Sequence, residues 1–197
     1  VKAVSNFAIA LGINIPTGKD SLSMTQKYPD GEKVYAPGTV IISAVGEVTD
    51  ITKTVSPVLL KSDETEIIYV SFSNSDFELG GSSLSQVLNL PGKITPNIPD
   101  PAYFKKTFNA IQELIEENFV LAGHDISAGG LITTLLEMNF ANQTGGLNVD
   151  LDKFQNTDLV KMLFSENPGI IIQTKIADKI AGKLNGLGID AETIGQN

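Results

Sequence analysis

Short runs rich in β-branched residues alternate with longer stretches whose apolar side chains recur at helical spacing, and turn residues punctuate them along most of the chain. A period of two and a period of 3.6 cannot be met by one kind of element, so this alternation predicts a mixed fold, α/β or α+β. Val1, Val4, Ala8 and Leu11 mark a first helix, stopped by Gly12. Leu22, Met24 and Gln26 predict a strand, and Tyr28-Pro29-Asp30-Gly31-Glu32 a turn leading into a hairpin. Thr39–Val48 (TVIISAVGEV) also predicts a strand. Pro57–Glu64 reads as a boundary.

Beyond it, strands are expected over 66–73, 119–123, 147–151, 170–174 and from 191, with helices over 102–118, 129–142, 159–164 and 176–187. A short helix follows Leu79-Gly80-Gly81-Ser82-Ser83 and runs through Leu88, and the proline-rich stretch 91–101 is a loop. In the 102–118 helix, Phe104, Phe108, Ile111, Leu114 and Ile115 are placed on the buried face.

Composition narrows the functions. Hydrophobic residues make up 42% of the 197, enough for a sizeable core. A net charge of −9, a pI near 4.5 and no Lys/Arg cluster argue against nucleic acid and anionic membranes as partners. An anionic ligand would need a local site of backbone N–H groups, a lysine or a metal ion. The absence of cysteine excludes disulfides, zinc–thiolate sites and a thiol nucleophile. With no signal peptide and no long apolar run, a cytoplasmic setting is expected. A first residue Val1 already inside a helix suggests a piece of a longer polypeptide.

Four segments carry candidate chemistry. Gly18-Lys19-Asp20-Ser21 looks like the end of a P-loop but is not one: five residues separate Gly12 from Gly18, and Asp20 stands where Ser or Thr should follow the lysine. Lys19 is either a phosphate contact or a solvated turn residue. Gly123-His124-Asp125-Ile126-Ser127-Ala128-Gly129-Gly130 leads from a strand into a helix. There Asp125 offers a hard oxygen suited to Mg²⁺, and the glycines and helix N-terminus suit phosphate. Equally, Ser127 serves as an N-cap, Asp125 offsets the helix dipole, and His124 is structural. Leu79-Gly80-Gly81-Ser82-Ser83 repeats the arrangement, as a second phosphate-facing turn or a plain serine-capped one. Glu166, in Leu163-Phe164-Ser165-Glu166-Asn167, either reaches a cleft or ends a helix in solvent. Glu113, Glu116 and Glu117 are expected on a helix surface, and Asp150 and Asp152 lack an evident partner.

Taken in order, Ile15-Pro16-Thr17-Gly18-Lys19-Asp20-Ser21-Leu22-Ser23-Met24, Leu79-Gly80-Gly81-Ser82-Ser83-Leu84, His124-Asp125-Ile126-Ser127-Ala128-Gly129-Gly130-Leu131 and Leu163-Phe164-Ser165-Glu166 span nearly the whole chain. The set resembles the later part of the synthetase region of the formylglycinamide ribonucleotide amidotransferases, in their large single-chain form. The resemblance implies two fused copies of the aminoimidazole ribonucleotide synthetase fold, each with a half-barrel A part and an α/β B part. Residues 1–60 would end the second A part and residues 61–197 form the second B part.

The same resemblance implies an ATP- and glutamine-dependent C–N ligase of purine biosynthesis. ATP phosphorylates the glycinamide oxygen, and ammonia from a glutaminase domain displaces the phosphate. That domain, with its cysteine nucleophile, and an upstream synthetase half would be partners within the same polypeptide. Asp125 is then similar to a Mg²⁺ ligand, Ser127 to a nucleotide contact and Lys19 to a phosphate contact. The other metal ligands would lie upstream. No general acid or base is assigned, and these residues alone are expected to be inactive. The family often reads His-Asp-Arg-Ser-Asp-Gly-Gly, so Ile126 and Ala128 each lose a charge. Two nucleotide sites follow from the pseudo-symmetry, one catalytic and one holding a trapped nucleotide such as ADP. The alternatives are therefore a structural nucleotide-binding half of the same enzyme, or another ATP-using relative such as selenophosphate synthetase or thiamin-phosphate kinase.

Overall fold

The structure, a computed structural model, describes residues 1–154 and 157–196. It divides into two compact units, residues 1–51 and residues 52–197.

The first unit contains helix α1 (Lys2–Leu11) and the antiparallel hairpin of β1 (Thr25–Lys27) and β2 (Lys33–Tyr35). Gly12 closes α1 in the left-handed region, φ 77°, where a side chain would be strained. The hairpin follows the Pro29-Asp30-Gly31 turn, with Asp30 Oδ1 accepting from the Glu32 N–H at 3.0 Å. The expected strand over 39–48 is absent. That segment forms no ladder, and Ile41 and Val45 are 88% and 102% exposed. A strand is defined by its partner's hydrogen bonds, and β-branched composition supplies only the preference. No residue from 1 to 51 is buried.

The second unit is built on a five-stranded sheet in the order β4 (Ala122–Asp125), β6 (Gly169–Thr174), β3 (Glu66–Ser71), β7 (Ala191–Gln196) and β5 (Asn148–Val149). Every pairing is antiparallel, which places the unit on the α+β side of the expectation. Side chains alternate across the sheet. Ile68, Val70 and Ile172 face one core with α3 (Pro101–Glu116) and α6 (Ala177–Gly186). Ile67, Tyr69 and Ile171 face the other with α4 (Gly130–Asn139) and α5 (Leu159–Phe164). The result is three layers, helices on both faces of the sheet.

Local chemistry sets the helix ends. Asp100 caps α3 by accepting from the Ala102 and Tyr103 N–H groups at 2.9 and 3.1 Å, and Pro101 takes the first helical position. Asp158 caps α5 in the same way. The buried stripe of α3 is Tyr103, Thr107, Ala110, Ile111 and Leu114, so Phe108 lies outside it and is 48% exposed. At about 3.6 residues per turn Phe108 falls beside the stripe set by Tyr103, Thr107, Ala110, Ile111 and Leu114 and not within it. Phe104 does pack, edge-on to Phe72 at 5.3 Å.

The segment from Thr52 onward belongs to the second unit. Leu59 is buried, and its N–H donates to the Met138 carbonyl at 3.1 Å. Gln173, fully buried on β6, donates to the Leu60 carbonyl and Thr65 Oγ1 and accepts from the Leu60 N–H. One amide thereby satisfies the backbone of a crossing segment that has no ladder of its own.

Candidate functional site

The edge strand β4 carries His124 and Asp125 as its last pairs with β6, opposite Ile171 and Ile170. The strand thus runs two residues beyond its expected end, and the corner begins only at Ile126. Asp125 projects into solvent with its side chain 79% exposed. Among the described residues the ion-pair neighbour of its carboxylate is the His124 imidazole, Nδ1 at 3.5 Å. His124 is tied down: Nδ1 lies 2.7 Å from the Asp125 carbonyl and Nε2 lies 3.5 Å from Glu137 Oε2. Beside the strand end is an apolar cleft of about 370 Å³ lined by Val55, Pro57, Ile115 and Val120, with His124 and Asp125 on its wall.

The corner that follows is fixed from behind. The Ile126 N–H donates to the Gly169 carbonyl at 2.9 Å, and the Ile126 side chain packs against the core shared with α4. The apolar side chain where the family often carries a charge is therefore used for packing. Ser127 and Ala128 are exposed. Ser127 does not cap the helix; Gly129 occupies the N-cap position at φ 92° with no side-chain cap bond. Gly130 has φ 75°, and a Cβ there would lie 2.7 Å from the Phe164 carbonyl carbon and 2.7 Å from the Ser165 oxygen. Its smallness serves the approach of α4 to the end of α5.

Glu166 is the residue whose importance sequence reasoning underrated. It does not end α5 in solvent. One carboxylate oxygen accepts from the Ser83 N–H at 2.7 Å and from the Gly129 N–H at 2.9 Å, joining the two glycine turns. Partial burial raises its pKa, but the Gly129 and Ser83 donors outweigh this and hold it below the ordinary carboxylate value. Asn167 completes the support. Fully buried, it donates to the Asp76 carbonyl at 2.9 Å and accepts from the Glu78 N–H at 3.3 Å. The signal was three consecutive polar residues, Ser165-Glu166-Asn167, where a helix meets a strand.

The 79–83 turn is not a free anion cradle. The Gly80 N–H donates to the Ile94 carbonyl and the Gly81 N–H to the Pro91 carbonyl, each at 2.8 Å, while Ser82 bonds within the turn and Ser83 is held by Glu166. Ser82 caps α2 (Ser83–Val87). A Cβ on Gly80 would sit 2.3 Å from the Ile94 oxygen, so this glycine is needed for backbone contact. The α4 N-terminus is likewise not open at its first positions, since Gly129 donates to Glu166 and Gly130 to the Ser127 carbonyl.

In the first unit, Lys19 is exposed and donates to Ser21 Oγ at 2.9 Å, with Asp20 accepting from the Leu22 N–H at 2.8 Å. Lys19 borders an apolar groove of about 520 Å³ lined by Val4, Ala8, Ile13, Val40 and Ile42. Asp125 and Ser127 stand on one corner of the second unit; Lys19 belongs to the first. Asp150 accepts from the Asp152 N–H at 2.8 Å, and Glu117 pairs with Lys183 at 3.5 Å, both as local surface contacts. Among the described residues no group of three or more His, Cys, Asp or Glu side chains is placed to hold a metal, and no helix is long and apolar enough to cross a membrane.

These features define an antiparallel α+β sandwich that presents a carboxylate and a hydroxyl at the corner after an edge strand. Residues 66–196 match the family described as AIR synthase related protein, C-terminal domain, and the chain belongs to that family. Residues 1–47 match the FGAR-AT PurM_N-like domain. Over 196 residues the chain is 44% identical to a protein of Arabidopsis thaliana named probable phosphoribosylformylglycinamidine synthase, chloroplastic/mitochondrial, covering 98% of this chain and 14% of that protein. It is 42% identical over 178 residues to the phosphoribosylformylglycinamidine synthase of Dictyostelium discoideum, covering 85% and 13%. The chain therefore spans about 14% of the length of the curated relatives it matches. Among solved structures, T. maritima PurL complexed with ATP aligns with TM-score 0.64 at 14% identity, covering 99% of this chain and 30% of that one. The same protein complexed with FGAR aligns with TM-score 0.61, also at 14% identity, covering 98% and 32%. The resemblance carried by the four motifs agrees with these findings.

Proposed function

We propose that this chain is part of a phosphoribosylformylglycinamidine synthase, the ATP- and glutamine-dependent ligase of purine biosynthesis, and that its 125–127 corner forms one wall of a nucleotide site. In that corner Asp125 holds Mg²⁺ and Ser127 contacts the nucleotide; separately, in the first unit, Lys19 contacts phosphate. The remaining synthetase half and the glutaminase domain lie elsewhere in the same polypeptide, in a cytoplasmic setting. The observation that carries this reading is the exposure of Asp125 and Ser127 on a corner whose backbone is tied down on both sides. A rigid corner with free oxygens is suited to a ligand.

Asp125 fits Mg²⁺ as a single hard-oxygen ligand, since Mg²⁺ commonly takes one or two carboxylates and completes its shell with phosphate and water. When bound, the ion would neutralise phosphate charge. This chain's own contribution is to hold Asp125 and Ser127 in place.

The test is ATP-dependent turnover, with ammonia as nitrogen donor, by the complete polypeptide carrying Asp125→Asn, with thermal stability and bound nucleotide measured on the same preparation. A kcat lowered by orders of magnitude at unchanged stability assigns Asp125 to the catalytic metal site. Retained kcat with lost nucleotide and lowered stability assigns this half to a structural nucleotide site. No change in any of the three refutes the nucleotide reading.

A further inference from the structure

We propose that Glu166 is a positioning residue for this corner: its carboxylate locks the segment bearing Asp125 and Ser127 to the 79–83 turn and so sets the geometry in which a magnesium–nucleotide is held. This role rests on the nucleotide reading above and goes beyond it in naming a residue that touches neither metal nor nucleotide.

Neither functional oxygen fixes its own position. Among the described residues Ser127 makes no side-chain cap bond, and the Asp125 carboxylate has only the His124 imidazole beside it. The backbone around them is instead anchored at three points on one segment. Ile126 donates to Gly169, Gly129 donates to Glu166, and Gly130 lies against the backbone of 163–165. Two of these anchors are neutral backbone contacts. The third is charge-assisted, and it is shared, because the same oxygen accepts from Ser83. Asn167 and Ser165 in turn fix Glu166 at its base by bonding the 73–78 loop. Gly129, at φ 92°, is held from both sides: its N–H donates to Glu166, and its carbonyl accepts from Thr133 Oγ1 at 3.1 Å.

The experiment is calorimetric titration of Mg·ADP into the complete polypeptide, with melting temperature alongside, for Glu166→Gln, Asp125→Asn and the double variant. Glu166→Gln keeps an acceptor oxygen of the same shape and removes the charge, which roughly halves the strength of both bonds. The expected result is a loss of Mg·ADP affinity of about tenfold, larger than the accompanying modest drop in melting temperature accounts for, and a smaller further loss when Glu166→Gln is added to Asp125→Asn, because the placement of Ser127 is then all that remains to lose. Ser83→Pro is the second variant. Proline is tolerated at the first position of α2 and removes both the N–H and the hydroxyl that Ser83 offers to Glu166. It should weaken Mg·ADP in the same direction, by less. Wild-type affinity in both Glu166→Gln and Ser83→Pro, with Asp125→Asn impaired, overturns the positioning role and leaves the nucleotide reading standing. Wild-type affinity in Asp125→Asn overturns both.

Discussion

Replacing Gly130 by alanine tests the packing that places the corner. The added Cβ would meet backbone atoms of Leu163, Phe164 and Ser165 at 2.7–2.8 Å, and none of these is a flexible side-chain end that can swing away. The residue must also hold φ 75°, which costs an L-residue about 1–2 kcal/mol. Forcing the α4 N-terminus away from the α5 end adds about 1–3 kcal/mol of overpacking. The sum is about 3 kcal/mol. For a domain of roughly 150 residues this lowers the melting temperature by about 10 °C. The assay is thermal unfolding followed by circular dichroism, with Gly182→Ala as control. Gly182 lies inside α6, and an added methyl there would meet nothing within 4 Å, so alanine should raise stability by about 0.5–1 kcal/mol. A Gly130→Ala protein melting within about 2 °C of the parent would refute the close-approach argument, since a clash of this size could not be absorbed so cheaply.

Gln173→Leu should cost about 2–4 kcal/mol, seen in urea unfolding, because the three hydrogen bonds that the buried Gln173 amide makes to Leu60 and Thr65 are removed together. Glu166 has a folded pKa below its unfolded one, so its stabilisation is present above the unfolded carboxylate range and is lost as pH falls through the folded pKa. The melting gap between parent and Glu166→Gln should therefore be widest near neutral pH and close in acid; a gap that widens in acid would contradict the sign. Deleting residues 1–51 should leave a cooperative melt for 52–197, because every buried residue of the described chain lies in the second unit, and a broad, uncooperative transition would contradict it.

Elements whose hydrogen bonds are local were legible. Gly12 stopping α1 and the 28–32 turn act within a few residues of chain and stand where composition predicts them; the Asp100 and Asp158 caps are equally local, but Pro101, expected in the loop before α3, is its first residue. The family was legible as well, through four motifs in order. Elements whose partners are distant in sequence were not. The 39–48 segment has strand composition but finds no ladder, and the sheet's antiparallel order could not be read from strand spacing. The glycine turns show the same limit at the candidate site. A glycine pair before a helix looks alike in sequence whether its N–H groups are free for phosphate or already spent. Here Pro91, Ile94 and Glu166 spend them, across separations of about ten to more than eighty residues. Local propensity determined where the helices and turns of this protein begin and end; tertiary structure alone decided which donors remain available, because hydrogen-bond satisfaction is a property of the folded neighbourhood and not of the motif.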